Sequence, residues 1–451
     1  MSEHGRIAAA AAERQRERMR EALEYLWAHP ETGYKEWKSS AWLEKAYEDL
    51  GYSLTRAGDI PGFTAEMDTG IPGPRILVFS ELDSVICRDH PDCDPETGAV
   101  HACGHCAQGA ALLGVAAAIR EPEVLEGLCG SVRFAVVPAE ELVEVGWREE
   151  LRRKGVIRYF GGKPEFLRRG LLDGCDAAFM IHTGGGKHSF GAPVGGNGCI
   201  AKTVTYVGKA AHAGGSPHLG INALYAAEVG MAAVNALRET FRDDDHIRVH
   251  PIITKGGDIV NAIPGSVRLE SYVRGATVEA IADANRKVNR ALAGAALALG
   301  ADVELCDRPG YLPVANDRTL LELFARAAGE IVPAENVRID RPFDTGCTDM
   351  GDISCVMPAI HAFGCGAEGA GHGADYRIVD FDSAVADSAK VQLTLLRMLL
   401  CDGGREAKRV IDNATPVFPD REKYFEAQDG FTITKRAVVY ENGGARVSWE
   451  A

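Results

Sequence analysis

An alternation of strand-like and helix-like segments constrains the fold of this chain more than any other feature of its sequence. RILVFSEL (75–82), SVRFAVVPAEE (131–141) and AAFMIHTGGG (177–186) begin as short apolar runs suited to buried strands, whereas AQGAALLGVAAAIR (107–120) has helical character. Parallel strands need long crossover connections, which are usually helices, so this order is typical of a mostly parallel sheet covered on both faces. The sequence therefore predicts an α/β fold built on such a sheet.

The alternation is interrupted from about residue 196 by a segment with a different order. Its elements read as strand, helix, strand, strand, helix and strand, at 199–214, 221–241, 246–257, 266–275, 278–300 and 301–307. That order is the split βαβ pattern of a small, ferredoxin-like α+β domain. After it the first pattern resumes, with a helix at 318–332, a strand at 359–365 and a helix at 382–400.

The interruption predicts two domains, because a chain of 451 residues is longer than one hydrophobic core usually organises. We expect a discontinuous first domain formed by residues 1–195 and 311–451, and an inserted second domain formed by residues 196–310. The polar, mixed residues 402–451 are interpreted as a peripheral extension of the first domain.

Composition excludes several classes of protein. The formal net charge of −15 disfavours a nucleic-acid binder, because a phosphate backbone would be repelled. The chain has no run of about 18 uncharged apolar residues, so it predicts no membrane span. The apolar patch near the N-terminus is interrupted by Glu13, Arg14 and Arg16, as in an amphipathic helix rather than a signal peptide. We therefore expect a cytoplasmic protein whose twelve cysteines are mostly reduced thiols.

Side chains suited to metal binding follow predicted strands at four places. They are Cys103 and His105 in HACGH, the adjacent Glu140 and Glu141 in PAEE, His182 at the end of AAFMIH, and His372 in GAGHGADY. Open α/β sheets bind ligands beyond the carboxyl ends of their strands, and thiolate, imidazole and carboxylate are good ligands for divalent metals. Each motif alone has an ordinary explanation, as a solvated turn, a core histidine or a Gly/Ala loop. Together they predict a metal site at one edge of the sheet.

Two further segments are charged. CRDHPDCDPETGAV (87–100) precedes the HACGH loop and is interpreted as a polar loop at the rim of the cleft, with an additional metal site as the alternative. GWREELRRKGVIRYFGGKPEFLRRG (146–170) is rich in arginine and lysine, which predicts either a solvated helix face or the wall of a pocket for an anionic substrate.

Eight motifs in a fixed order make the sequence similar to a known family. They are AHPETGYKE (28–36), ELDS (81–84), HACGH (101–105), PAEE (138–141), HAGGSPHLGINAL (212–224), VNAIPGSV (260–267), TDMGDIS (348–354) and GHGADY (371–376). The chain resembles the M20 metallopeptidase and amidohydrolase family, in the branch of aminobenzoyl-glutamate, hippurate and auxin-conjugate hydrolases. The resemblance covers most of the chain and implies a zinc-peptidase-like fold, with residues 196–310 as a lid and dimerisation domain.

The resemblance also assigns roles to individual residues. The ligands of one or two divalent ions would be Cys103, His105, Glu141, His182 and His372, with Cys103 shared between the ions. Glu140 would be the general acid/base, and Asp83 would support a ligand without touching the metal. In the inserted domain, His212 would reach the active site of a partner subunit, and Asn261 and Arg274 would contact the polar end of the substrate.

The same resemblance implies cofactors and partners. Mn or Zn, or alternatively Co, suits the mixed sulfur, nitrogen and oxygen donors. A carboxylate-bearing small molecule is the expected substrate, and a homodimer or dimer of dimers through residues 196–310 is the expected assembly. The sequence departs from the family at Cys106 and Gln108, which stand where Asp and His are usual. Because a charged acceptor behind the ligands is lost, the number of bound ions stays open.

Three functions are compatible with these residues. The leading hypothesis is a metal-dependent hydrolase that cleaves the amide of an N-acyl or aromatic-acyl amino acid, with Glu140 moving the proton. The first alternative keeps the site but releases ammonia from an electron-poor aromatic amine, as in the nitroanthranilate aminohydrolase of the same family. The second is a non-catalytic metal-binding protein, against which Glu140 argues because a pure binder needs no general base.

Overall fold

The structure is a computed structural model that describes residues 1–449. These residues form two compact units. The first unit comprises Met1–Gly195, Val314–Asp344 and Thr348–Pro419, and the second comprises Gly196–Pro313, Thr345–Cys347 and the described residues from Asp420 onward. A helix long and apolar enough to cross a membrane is absent from residues 1–449.

The helices and strands follow one another along the chain as follows. The α-helices are α1 Glu3–Arg14, α2 Arg16–Ala28, α3 Trp37–Asp49, α4 His105–Ala118, α5 Pro122–Leu125, α6 Val145–Arg153, α7 Gly162–Arg168, α8 Ala223–Ala236, α9 Val278–Leu299, α10 Arg318–Ile331, α11 Met350–Ser354, α12 Asp387–Leu400, α13 Arg405–Asn413 and α14 Arg421–Gly430. The strands are β1 Leu54–Arg56, β2 Phe63–Asp68, β3 Arg75–Glu81, β4 Val85–Ile86, β5 Ala99–Val100, β6 Ser131–Val137, β7 Ala177–Thr183, β8 Phe190–Pro193, β9 Gly198–Val207, β10 Arg248–Val249, β11 Ile252–Lys255, β12 Ser266–Gly275, β13 Asp302–Pro309, β14 Val337–Arg341, β15 Ala359–Gly364, β16 Ala367–Glu368, β17 Arg377–Ile378, β18 Ile433–Glu441 and β19 Gly444–Val447.

An eight-stranded sheet forms the centre of the first unit, in the order β1-β2-β6-β3-β7-β15-β8-β14. The four central strands β6, β3, β7 and β15 are mutually parallel, whereas β1, β2 and β8 pair antiparallel with their neighbours toward the centre. The prediction of a mostly parallel sheet in an α/β fold is confirmed. Because parallel strands end at the same edge, the loops after β3, β6 and β7 converge there.

Helix α4 lies in the core of the first unit and starts at that edge. Each of its residues from His105 to Ala118 is buried, so it is apolar on all sides rather than amphipathic. Its glycines allow close packing: a Cβ at Gly114 would lie 2.3 Å from Sδ of Met19, and one at Gly109 would lie 2.9 Å from Cδ1 of Leu26. Helix α2, which carries both neighbours, therefore packs directly on α4.

The second unit has the split βαβ arrangement that its sequence predicts. The sheet order β10-β12-β9-β13 comes from the pattern β9, α8, β10/β11, β12, α9 and β13, with antiparallel neighbours throughout. Helices α8 and α9 bury their apolar faces against this sheet, in a core that includes Tyr206, Val273 and Leu292.

The interpretation of residues 402–451 as an extension of the first domain is wrong for the described residues from Asp420 onward. Strands β18 and β19 continue the second sheet beyond β13, with β18 paired antiparallel to it. The reason is that β13 would otherwise present an unpaired edge, and β18 covers that edge while burying Ala437 and Val438. Helix α13, by contrast, belongs to the first unit.

Candidate metal centre

The loop that joins β5 to α4 brings Cys103 beside the end of β7. Gly104 precedes α4 with a φ of +100°, and a Cβ there would lie 2.6 Å from the carbonyl oxygen of Thr183. Only glycine fits such a left-handed backbone at so close an approach. As a result, Sγ of Cys103 lies 3.4 Å from Nε2 of His182, the penultimate residue of β7.

One ring nitrogen of His105 makes a hydrogen bond, and the other makes none among the described residues. Its Nδ1 donates to the main-chain oxygen of Asp83 at 2.8 Å, since a carbonyl oxygen only accepts. The other nitrogen, Nε2, is buried and makes no hydrogen bond among the described residues, although the carboxylate of Glu81 is 3.2 Å away. A buried lone pair without a donor is what a bound cation would satisfy.

Asp83 contacts two of the predicted ligands, but its own side chain is not among those placed to hold a metal ion. Its main-chain oxygen orients the ring of His105, and its Oδ2 accepts the backbone N–H of Glu141 at 2.8 Å. Asp83 thereby fixes the relative placement of the HACGH loop and the PAEE turn.

The PAEE turn that follows β6 is held in an unusual backbone conformation. Ala139 has a φ of +61°, which is unfavourable for a residue with a side chain, and its N–H donates to Oε1 of Glu36 at 2.7 Å. The turn leaves Glu140 and Glu141 largely buried, with relative exposures of 8% and 9%. Strain of this kind persists only where surrounding contacts enforce it.

The contact that enforces this turn is a completely buried arginine on α6. The guanidinium of Arg148 donates to the main-chain oxygens of Ala139, Glu141, Val143 and Phe160. The sequence favours a solvated helix face or a pocket for segment 146–170, but Arg148 points inward. A guanidinium carries five N–H groups, which is enough to donate to all four of these oxygens.

His372 and Glu141 form the other half of the centre. His372 has a φ of +62°, and its N–H donates to the carbonyl oxygen of Ala102, which holds the GAGHGADY loop against the HACGH loop. Nε2 of His372 lies 3.0 Å from Oε1 of Glu141.

Two groups that share Cys103 contain all five predicted ligands, and a further group joins His105 and Glu141 with Glu140. Cys103, His105 and His182 make the first group, and Cys103, Glu141 and His372 make the second; within each group the ligand atoms lie within 4.8 Å of one another. Sulfur, nitrogen and oxygen donors at these separations, with an unsatisfied nitrogen on His105, fit divalent metal ions. The structure thus brings together residues that lie up to 269 positions apart along the chain.

The two glutamates of the turn have different proton affinities. Burial and the nearby charges of Glu81 and Glu141 raise the pKa of Glu140 well above its ordinary value. Burial also acts to raise the pKa of Glu141, but the hydrogen bond and charge of His372 outweigh it and lower this pKa to about 2. Burial and the neighbouring His105 lower the pKa of His182 to about 4, which keeps its ring neutral and able to bind a cation.

A buried charge cluster beneath the centre has no counterpart in the sequence prediction. The ammonium group of Lys163, at the start of α7, pairs with Glu81 and Asp349, and all three side chains are inaccessible to solvent. Glu140 lies close to this charge cluster, because its carboxylate is within 4.8 Å of the carboxylates of Glu81 and Asp349. The motifs ELDS and TDMGDIS contain the two acids, but nothing in the sequence marks Lys163 as their partner.

Cys106 and Gln108, which replace the residues usual in the family, lie on the first turn of α4. Cys106 is buried in the core, where burial raises the pKa of its thiol to about 12. The side chain of Gln108 accepts the N–H of Glu81 at 3.3 Å and donates to Oε2 of Glu81 at 2.9 Å. Gln108 therefore holds the same carboxylate that Lys163 neutralises.

The segment 87–100 contains the connecting loop and the second strand, β5, of a β-hairpin whose first strand is β4. Oδ1 of Asp94 accepts the N–H groups of Glu96 and Thr97, and Nε2 of His90 lies 2.8 Å from the main-chain oxygen of Tyr376. These side chains stabilise the hairpin, and the ligand groups found among residues 1–449 include none of them. The interpretation of this segment as a polar loop fits these contacts better than an additional metal site.

The three remaining candidate residues lie in the second unit, at two ends of its sheet. His212 pairs with Ala262 in an isolated bridge, and its Nδ1 accepts the N–H of Gly215 at 2.8 Å. Asn261 lies next to that bridge, where its main-chain oxygen accepts the N–H of Ala213 at 2.9 Å. Arg274 lies at the opposite end of β12, opposite Cys199 of β9.

Most of the chain, including this centre, matches one known protein family. Residues 78–398 match the model of Peptidase family M20/M25/M40. The chain belongs to the M20 peptidase family. The resemblance noted from the sequence motifs is therefore confirmed, and this M20 protein is a hydrolase that acts on amide or peptide bonds.

Curated M20 relatives have several substrates in their names. The chain is 29% identical to Xaa-Arg dipeptidase of Mus musculus over 404 residues, which span 87% of this chain and 85% of the relative. It is 30% identical to a p-aminobenzoyl-glutamate hydrolase chain of Escherichia coli (strain K12) over 315 residues, which span 67% of this chain and 60% of the relative. It is 28% identical to indole-3-acetyl-aspartic acid hydrolase of Enterobacter agglomerans, over 55% of each chain.

Solved structures share the fold. The aminobenzoyl-glutamate utilization protein from Klebsiella pneumoniae superimposes with a TM-score of 0.65 at 18% identity, over 87% of this chain and 98% of that protein. The YXEP protein of Bacillus subtilis, described as a dinuclear metal binding peptidase from the M20 family, superimposes with a TM-score of 0.62 at 20% identity, over 86% and 99%.

Proposed function

We propose that this M20 hydrolase is metal-dependent and cleaves the amide that joins an acyl or aromatic-acyl group to an amino acid. The observation that carries the proposal is the pair of ligand groups sharing Cys103, with the carboxylate of Glu140 beside them. Relatives named for aminobenzoyl-glutamate and indole-3-acetyl-aspartate hydrolysis support this substrate class, because both names describe an aromatic acyl group on an acidic amino acid.

Two divalent ions would be held, one by each ligand group. Mn or Zn, with Co as a further possibility, suits a site with one thiolate, three imidazoles and one carboxylate. Bound there, such ions polarise a carbonyl oxygen and lower the pKa of water.

Glu140 is the proton carrier of the reaction. Its carboxylate takes one proton from the attacking water and delivers it to the leaving amide nitrogen, so the products are a carboxylic acid and a free amine. Burial and the neighbouring carboxylates raise its pKa, which suits a group that must hold a proton near neutral pH. Glu141, whose pKa is low because of His372, stays ionised and is suited to binding a cation.

The second unit supplies substrate contacts from two subunits. His212 and Asn261 lie near the Ser266 end of β12, whereas Arg274 lies near its other end. At about 3.4 Å per residue, the strand between Ser266 and Arg274 is ~27 Å long. This separation supports the proposal that His212 acts on the active site of a partner subunit, and Asn261 and Arg274 are the proposed contacts to the polar end of the substrate.

Pairing of two chains through the second unit is supported by its exposed apolar residues. Strand β11 lies at the edge of the sheet and exposes Ile252 and Ile253, while α8 exposes Tyr225 and Val229. An unpaired edge strand with apolar side chains is a template for pairing with another copy.

The test is turnover by the metal-loaded enzyme on a panel of N-benzoyl, N-aminobenzoyl and N-indoleacetyl amino acids, dipeptides and amino-aromatic acids. Glu140→Gln should lower kcat by about 10²–10⁴-fold while keeping the metal content. Glu150→Gln, a change at an exposed glutamate paired with Lys154, is the matched control and should leave both unchanged. Release of ammonia from amino-aromatic acids without cleavage of any amide would overturn the proposal.

A further inference from the structure

A small cavity in the first unit lies one strand away from the metal centre. Its volume is about 290 Å³, and its lining residues are Pro193, Arg341, Pro342, Phe343, Asp344 and Phe363. Pockets for small molecules range from about 300 to 1,000 Å³. This cavity therefore has room for one substituted ring and not for a long peptide.

A row of side chains connects the cavity to the centre across the sheet. Phe363 of β15 pairs with His182 of β7, and their ring centroids are 5.5 Å apart. His361 lies on the same face as Phe363, with its ring 5.9 Å from that of His182. Nε2 of His361 is buried and has no hydrogen-bond partner among the described residues.

The row continues from Phe363 across β8 to a cation on β14. Gly191 of β8 lies opposite Phe363 in the ladder, and a Cβ at Gly191 would lie 2.8 Å from Cδ of Arg341. The missing side chain is what lets Arg341 cross β8, and its guanidinium carbon lies 5.3 Å from the centroid of the Phe363 ring.

The charge of Arg341 is not used inside the protein. Among residues 1–449, Arg341 makes no ion pair; its side chain is exposed, and its guanidinium faces the ring of Phe363. A planar guanidinium over an aromatic ring binds carboxylates in the plane of its N–H fork. Asp344 lies on the same wall, and its negative charge confines an anion to the Arg341 end.

We propose that this cavity is the subsite for the acyl side of the substrate and that it takes an aromatic acyl group bearing a carboxylate. The ring of the ligand stacks between Phe363 and Phe343, its carboxylate pairs with Arg341, and its scissile carbonyl points toward His182. The inference rests on the proposed amide hydrolysis and goes beyond it, because it names the charge of the acyl group and the residue that selects it.

The test compares two substrates that differ in one group, N-benzoylglycine and N-(3-carboxybenzoyl)glycine. The wild-type enzyme should prefer the second, and Arg341→Met should lower the ratio of the two kcat/KM values by about 10–100-fold, the effect of one charge-assisted hydrogen bond. Arg341→Lys should restore part of the ratio. Arg338→Met, at an exposed position on the same strand, is the matched control and should leave the ratio unchanged.

A binding measurement makes the inference independent of turnover. Calorimetric titration of the metal-loaded enzyme with isophthalate should show binding that Arg341→Met weakens and Arg338→Met does not. An unchanged ratio or unchanged isophthalate binding in Arg341→Met overturns the subsite, even if N-benzoylglycine is hydrolysed. Failure to hydrolyse any amide, with isophthalate binding that depends on Arg341, counts instead against the proposed function and supports the subsite.

Discussion

Sγ of Cys103 lies 3.4 Å from Nε2 of His182, although 79 residues separate the two along the chain. The same sulfur belongs to a second group with Glu141 and His372. Cys103 is thus the one side chain common to both candidate ligand groups, which makes the metal content of variants a direct measure of the arrangement.

Replacement of the ligands should affect metal stoichiometry unequally. Cys103→Ala should reduce binding at both positions, whereas His182→Ala and His372→Ala should each remove about one ion, because each belongs to one group. Elemental analysis by mass spectrometry after dialysis measures the content. Equal loss in all three variants would contradict the shared thiolate, and Cys106→Ala, a buried thiol outside both groups, is the control.

Replacement of Arg148 should destabilise the protein and misplace the catalytic turn. Arg148→Met removes the hydrogen bonds that the guanidinium donates to four main-chain oxygens, so the free energy of unfolding should fall by about 3 kcal/mol. Urea denaturation measures the change. Arg153→Met, on the exposed side of the same helix, should change the free energy of unfolding by less than about 0.5 kcal/mol. A similar effect from both variants would show that Arg148 does not hold the turn.

Lys163 should be needed chiefly to compensate two buried acids. Lys163→Met leaves Glu81 and Asp349 unpaired and should lower the free energy of unfolding by ~4 kcal/mol. The double variant Lys163→Met with Asp349→Asn removes one of the two unpaired carboxylates and should recover part of the lost free energy of unfolding. If the double variant is less stable than Lys163→Met alone, the charge-compensation account is wrong.

Two inactive variants should restore activity to each other. If His212 acts on the partner's active site, a mixture of Glu140→Gln and His212→Ala chains, unfolded and refolded together, forms heterodimers with one intact site. Random pairing of equal amounts should give about a quarter of the wild-type activity. Activity no higher than that of the separate variants would place His212 in the active site of its own chain.

A charge on the edge strand should prevent pairing of chains. Ile253 is 40% exposed on β11, and Ile253→Lys should shift the protein from dimer to monomer by placing a charge in an apolar interface. Analytical ultracentrifugation measures the mass. Ile71→Lys changes an exposed isoleucine of the first unit and should leave the mass unchanged; a dimeric Ile253→Lys protein would locate the interface elsewhere.

Local patterns along the sequence determined the elements and the residues that bear the chemistry. Apolar runs such as RILVFSEL mark buried strands, and the order of strands and helices at 199–307 marks the split βαβ unit. The residue types of HACGH and PAEE indicate metal chemistry, because thiolate, imidazole and carboxylate groups are the side-chain ligands that bind metal ions such as zinc.

Only the tertiary structure decided which side chains that are distant in sequence lie in contact. In the sequence, Lys163 is one of several cations in a basic segment, and nothing there indicates its partners. It pairs with Glu81 and Asp349 because the fold buries the three side chains together. The sequence predicts a solvated charge or a pocket wall at Arg148, whereas the fold places four carbonyl oxygens around its guanidinium. Likewise, β18 joined the second unit because the edge of β13 was open to pairing. A sequence records the local preferences of each residue, but burial, charge compensation and strand pairing depend on neighbours that folding brings from elsewhere in the chain.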